Sequence, residues 1–183
     1  KTEMQTEINN TIEILTEGGI ILYPTDTIWG IGCDATNIKA IEKIYRIKKR
    51  NDSKALISLV NNVNQLKKIT SIQPKSINKL KNTTIIYPKV NIIAENAKAN
   101  DGSAGIRITS DKFCKKLVKI FNKPIISTSA NISGKMYPKC FSEIEEEITK
   151  KVDYIVNLRK KELMDKASNI FLFKIDGKMI KIR

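Results

Sequence analysis

The chain contains no histidine in its 183 residues. That absence removes the commonest general base, the commonest metal ligand and every Ser-His or Cys-His nucleophile. Chemistry here has to run on lysine, arginine, carboxylates, hydroxyls and backbone groups. Cysteine is scarce: Cys33, Cys114 and Cys140 are far apart and odd in number. They lack Cys-x-x-Cys spacing, which argues against zinc or dithiol chemistry and for free buried thiols. No apolar run reaches the roughly 18 residues of a membrane span. The opening stretch KTEMQTEINN lacks the apolar core of a secretory signal, so a cytoplasmic location is expected. Repeats, low-complexity tracts and Pro/Gly/Ser linkers are missing as well, which predicts one domain over residues 1–183.

What is present suits a globular enzyme-sized domain. Hydrophobic residues make up 41% and charged residues 28%, ordinary values for a folded chain. A domain of this length buries roughly 70% of its unfolded surface and needs no disulfide or metal staple. Lysine and arginine number 33 against 19 acids, a formal net charge of +14. Such a field attracts nucleic acid, nucleotides and phosphorylated substrates. The abundance of Asn and Ile beside Lys is also what AT-rich codons produce, and that accounts for scattered lysines equally well. It does not account for cations placed beside motifs.

Periodicity alternates helix and strand. Ile8, Ile12 and Leu15 predict a helix stopped at Gly18-Gly19. IILYPT reads as a buried strand ending at Pro24. From Asn37, the positions Ile38, Ile41, Ile44, Tyr45 and Ile47 predict a helix with one buried stripe and Lys48-Lys49-Arg50 on its last turn. ALISLV is a second strand. Weaker helical patches lie around Leu66 and from Ile77 to Leu80, the second opened by Pro74. TTIIYP and AGIRIT are further strands. Asp111 caps a helix carrying Phe113, Leu117, Val118 and Phe121, and PIIST is the next strand. An acidic helix over Glu143 to Thr149 and short strands near YIVNL, NIFLF and KMIKI complete the chain. This alternation predicts an α/β domain with a twisted, mixed sheet, whose ligands gather at strand ends.

Two strand ends are crowded with small polar groups. In PTDTIWGIG, Pro24 stops a strand, Thr25 and Thr27 offer hydroxyls, and Asp26 can accept from backbone donors in the following turn. Gly30 and Gly32 allow close approach to a ligand or another strand. In PIISTSANISG, three hydroxyls and a carboxamide follow a short apolar run. Between them, KKR with Lys54 gathers cations at a helix end, a placement that helix C-termini favour anyway. Singly, each of these is as readily a polar turn or a solvated helix end.

Taken together and in this order, PTDTIWGIG, KKR, GIRIT and PIISTSANISG resemble the YrdC/TsaC-like family of threonylcarbamoyl-AMP synthases. Their pattern is P-T-[DE]-T-x-[YW]-G-[LI]-G, K-x-R, R-x-P and P-[ILV]-x-x-[TS]-S-A-N-x-S-G. The closing segments ASNIFLF and KMIKIR are similar to that family's tail. Thr109 stands where the family has proline. The usual W-P-G-P-[LVM]-T segment has no counterpart beyond the Thr83-Thr84 strand.

The resemblance implies a single α/β domain around a basic concavity. It also implies a reaction in which L-threonine, bicarbonate and ATP give threonylcarbamoyl-AMP and pyrophosphate, with Mg²⁺ carried on ATP oxygens and no protein metal site. The product would feed modification of a tRNA adenosine beside the anticodon, through tRNA binding or partner proteins. Lys48 and Arg50 are implied as triphosphate ligands that offset charge on the leaving group, with Lys54 near the nucleotide. Thr27 and Arg107 fall on the threonine side, Arg107 as carboxylate partner. Ser129 and Asn131 would sit between the substrates, Ser133 would help the phosphates, and Arg183 would reach the nucleotide. Two rival readings use the same features: a non-catalytic RNA-binding or ribosome-associated module, and a related enzyme with another small-molecule carboxylation or adenylation substrate.

Overall fold

Thr2 starts the first helix by accepting the backbone N–H of Gln5 at 3.1 Å, and helix α1 runs over Glu3–Thr16. Gly18, at φ +80°, stops it as the glycine pair predicts. The structure, a computed structural model, describes residues 2–51 and 55–183. After α1 the chain enters β1 (Ile21–Tyr23), turns through residues 24–29 and returns as β2 (Gly30–Gly32), antiparallel to β1.

Asn37 caps α2 (Ile38–Lys48) by accepting the Ala40 N–H at 3.0 Å. The buried stripe is Ala40, Ile41, Ile44, Tyr45 and Ile47, joined by Lys48. Ile38, expected within that stripe, is 50% exposed, because the first helical position turns away from the sheet. The helix ends where Lys49 adopts a left-handed conformation at φ 52°, so Arg50 lies beyond the last turn and not on it.

The remaining elements are β3 (Ile57–Val60), α3 (Val63–Ile69), β4 (Thr83–Tyr87), β5 (Ala104–Ile108), α4 (Lys112–Phe121), β6 (Ile125–Ile126), β7 (Thr128–Ser129), α5 (Glu146–Thr149), β8 (Tyr154–Ile155), β9 (Asn169–Phe173) and β10 (Met179–Lys181). Asp111 caps α4 through the Cys114 N–H at 2.8 Å. The expected acidic helix is split, a 3-10 turn at Phe141–Glu143 preceding the single turn of α5.

The strands form two sheets, one ordered β7-β2-β1-β8 and the other β10-β9-β4-β5-β3-β6. The larger is mixed: β3 runs parallel to β5 and β4 parallel to β9, whereas β4–β5, β3–β6 and β9–β10 are antiparallel. The stretch that reads as one strand, PIIST, is two. β6 pairs with β3 in the large sheet, and β7 pairs with β2 in the small one. Ser127 is the joint, its N–H donating to Ile57 O at 2.8 Å. A strand that switches sheets makes the corner between them.

Gly32 permits this corner: a Cβ there would stand 2.3 Å from Ile126 O and 2.7 Å from the Tyr23 ring. Tyr23 Oη donates to the same Ile126 carbonyl at 2.8 Å. Two clusters of buried side chains flank the corner. One gathers Trp29, Ile31, Ile41, Ile44, Val60 and Ile85, and the other Ile8, Leu15, Tyr23, Leu59, Phe113 and Leu117. Each fully buried side chain of this size contributes roughly 1.5–3 kcal/mol. The corner therefore sits on well-packed support. Cys33 and Cys114 are free and buried as expected, whereas Cys140 is free but half-buried. No helix among the described residues is long and apolar enough to cross a membrane.

Candidate active site

Pairing of Gly30 with Ser129 and of Ile31 with Thr128 brings the two polar strand ends side by side. They open into one cavity of about 720 Å³ between the sheets, lined by Thr27, Ser127, Thr128, Ser129, Arg50, Arg107 and Arg183 among others. Its size suits a nucleotide with a small second substrate.

At one end Arg107 is 3% exposed on β5. Cross-strand register sets Thr84 opposite it, and its Nη1 donates to Thr84 Oγ1 at 3.4 Å. Its Nη2 lies 3.4 Å from Asp26 Oδ1, both side chains being 3% exposed. Arg107 Nε and Asp26 Oδ1 have no hydrogen-bond partner among the described residues. A buried ion pair with donors left over costs desolvation that a well-placed anionic ligand recovers.

Asp26 was expected to accept from the turn that follows it. Thr25 does that instead, accepting the Thr27 N–H at 3.1 Å and donating to Ile28 O at 2.7 Å. Thr25 and Thr27 hydroxyls lie 3.2 Å apart, which fixes the Thr27 hydroxyl at the cavity wall.

From Thr84 the polar chain continues outward. Its hydroxyl meets Ser168 Oγ at 2.8 Å. Arg183 donates from Nε and Nη2 to Ser168 O at 3.0 and 2.9 Å. Desolvation first, and the field of Arg107 second, lowers the Arg183 pKa below its ordinary value. Arg50, across the cavity, donates to Ala55 O at 3.3 Å and packs 5.9 Å from the Tyr45 ring centroid. Its pKa too is lowered by burial. The guanidiniums of Arg50 and Arg183 line the same space, and their planar forks are the geometry that suits phosphate oxygens.

Lys48, Asn131 and Ser133 stand behind this wall and outside the cavity lining. The Lys48 side chain, 2% exposed, donates to Asn131 O at 2.9 Å and to Ser129 O. Burial, with Arg50 second, brings its pKa down to about 7. Asn131 spends its amide on Ile132 O and Lys135 O, both at 3.0 Å, while its Oδ1 is buried without a partner among the described residues. Ser133 N–H donates to Lys48 O at 2.8 Å. Lys54 lies outside the described residues.

The structure therefore gathers Thr27, Arg50, Arg107, Ser129 and Arg183 around one space and sets the other three behind them. Sequence reasoning missed Thr84, Ser168 and Arg159 as parts of the site. The alternation TTIIY carries a faint signal for Thr84, since β-period puts it on one face with Ile86, another lining residue. Arg159 carries none: it braces the turn from afar, donating to Thr25 O at 3.1 Å and pairing with Asp111 at 2.5 Å. At position 109, where the resembled family has proline, the Thr109 N–H donates to Val60 O at 3.1 Å, a bond that proline could not make.

A two-sheet α/β domain whose corner opens into a basic cavity defines a fold class shared with solved proteins. Residues 13–183 match the Sua5/YciO/YrdC family, described as "Telomere recombination", and the chain belongs to that family. It is 30% identical over 161 residues to the threonylcarbamoyl-AMP synthase of Pseudoalteromonas translucida, covering 84% of this chain and 86% of that one. Against the threonylcarbamoyl-AMP synthase of Wigglesworthia glossinidia brevipalpis it is 34% identical over 149 residues, 77% of each. The fold superposes on the crystal structure of P. abyssi Sua5 complexed with L-threonine with a TM-score of 0.83 at 21% identity. The alignment covers 96% of this chain and 53% of that one, so the chain spans about half of that longer protein.

Proposed function

We propose that this chain is a threonylcarbamoyl-AMP synthase, joining L-threonine, bicarbonate and ATP to give threonylcarbamoyl-AMP and pyrophosphate. The observation that carries the reading is a buried arginine with an idle Nε, Arg107, sharing one cavity with Thr27 and with the guanidiniums of Arg50 and Arg183. Arg107 takes the amino-acid carboxylate. The Thr27 hydroxyl, already held by Thr25, meets the threonine hydroxyl, and a buried polar partner of this kind rejects analogues that lack the group.

Arg50 and Arg183 take the nucleotide phosphates. Attack of the threonine carbamate on the α-phosphorus expels pyrophosphate, so the protein's task is positioning and stabilisation of negative charge, for which histidine is unnecessary. Each charged hydrogen bond of this type contributes roughly 1.5–3 kcal/mol. Ser129 adds a neutral hydroxyl between the two substrates.

Mg²⁺ enters on the oxygens of ATP. Among the described residues no group of three or more acidic or cysteine side chains converges on a metal position, and Asp26 is paired with Arg107. The product supplies threonylcarbamoyl transfer to a tRNA adenosine beside the anticodon, and the net charge of +14 suits work in the neighbourhood of RNA. A cytoplasmic setting and a YrdC-like domain over residues 1–183 belong to the same reading.

Pyrophosphate release tests it. With ATP, L-threonine, bicarbonate and Mg²⁺ all present, release is expected, and omitting threonine or bicarbonate abolishes it. L-serine is expected to support a slower rate. Release that is indifferent to the amino acid would refute the proposal.

A further inference from the structure

Lys48 reads in the sequence as one more cation for the triphosphate, yet its ammonium is already engaged. It sits at the last position of α2, 2% exposed, with Ser129 O, Asn131 O at 2.9 Å and Ser129 Oγ at 3.4 Å around it. The acceptors come from the loop that carries Ser129 into the cavity. That loop is stitched to the same residue a second time, since Ser133 N–H donates to Lys48 O at 2.8 Å. Two main-chain carbonyls turned inward on one point repel each other; Ser129 O also accepts the Asn131 N–H at 2.9 Å, whereas Asn131 O depends on the ammonium for its bond. An ammonium supplies three N–H bonds in a fixed arrangement, and here all three have takers.

The left-handed Lys49 that ends α2 is what separates Lys48 from Arg50. Arg50 enters the cavity lining while Lys48 stays beneath the loop. We propose that Lys48 is a positioning residue: its side chain holds the loop of residues 129–133 in the shape that aims the Ser129 hydroxyl at the reacting groups, leaving the phosphates to Arg50 and Arg183. The ligand assignment in this statement rests on the synthase reading above, but the loop-holding role does not. Burial, with Arg50 second, brings the Lys48 pKa to about 7, and the amine left above that pH still has two N–H bonds for the two carbonyls.

The test compares two neutral replacements. Lys48→Met removes the charge and every donor, whereas Lys48→Gln removes the charge but keeps an amide that can bridge the carbonyls. A positioning role predicts that Lys48→Met lowers kcat about 100-fold with the KM for ATP changed by less than about threefold, and that Lys48→Gln recovers about tenfold of the loss. A phosphate ligand predicts instead that both variants raise the KM for ATP equally, because both lack the charge. Amide hydrogen exchange of residues 129–135, measured without substrates, is expected to accelerate about tenfold or more in Lys48→Met and less in Lys48→Gln. Unchanged exchange in Lys48→Met, or equal damage by both variants with a raised KM, would overturn the proposal. Should the wild type release no pyrophosphate, the exchange measurement alone still decides the loop-holding role, so the two failures are distinguishable.

Discussion

On one wall of the cavity Arg107 is held by side chains, Asp26 and Thr84, that reach it from separate strands and turns. Behind the other wall Lys48 is held by main-chain carbonyls of a single loop. The first arrangement leaves the Nε of its cation without a partner among the described residues, in a side chain that lines the cavity; the second spends its cation within the protein. Two buried cations in the same fold thus keep opposite company. In the proposed reading one is reserved for a ligand, and one shapes the wall against which the ligand rests. The partners show the difference, and residue type alone does not.

The largest expected effect breaks the first wall. Arg107→Met leaves Asp26 as an uncompensated buried charge and is expected to cost about 3–5 kcal/mol in urea unfolding. Adding Asp26→Asn should return a large part of that loss, since the residues are coupled. A double variant no more stable than the single would mean that Asp26 is solvated and the pair immaterial.

The second wall answers to pH. The unfolded chain keeps a proton on Lys48 up to about 10.5, while the folded chain releases it near 7. Folding is therefore increasingly favoured as pH rises from about 7 towards 10.5, and below 7 the full desolvation cost stands. Relative to Lys48→Met, which lacks the titration, wild-type stability is expected to climb by up to about 1.4 kcal/mol per pH unit over that window. Parallel stability curves for the two proteins between pH 7 and 9 would show that the three acceptors keep the ammonium charged throughout.

Smaller effects sharpen the outer end of the first wall. Thr84→Val removes the hydroxyl that meets Ser168 at 2.8 Å and is expected to cost about 1 kcal/mol, read from the denaturation midpoint. Arg183→Ala changes an exposed side chain, so stability should move by no more than about 0.5 kcal/mol. Its KM for ATP should nevertheless rise about tenfold, equivalent to one charged hydrogen bond. An unaltered KM would remove Arg183 from the nucleotide site.

Much of the fold was legible because the signals are local. Caps at Asn37 and Asp111, the glycine stop at Gly18 and the 3.6-residue stripes of α1, α2 and α4 each announce themselves within a few positions. The division of PIIST between two sheets was not, since Ile125 to Ser129 is uniformly strand-like and only remote partners, β3 and β2, decide where it breaks. The meeting of the two polar strand ends could be read from their shared chemistry, and β2 with β7 bears it out. The Asp26–Arg107 pair could not, because neither residue carries a sign of the other. Nor could the direction of Lys48, because a cation at a helix end looks alike whether the next residue continues the turn or, like Lys49, reverses it.

The reserved cation is best tested from the ligand's side, where no folding change intervenes. Calorimetric titration of the wild-type protein with L-threonine and with L-threoninol, the same molecule with its carboxylate reduced to an alcohol, isolates the group proposed for Arg107. The account predicts measurable binding of L-threonine and a loss of at least about tenfold for threoninol. Equal affinities would contradict it.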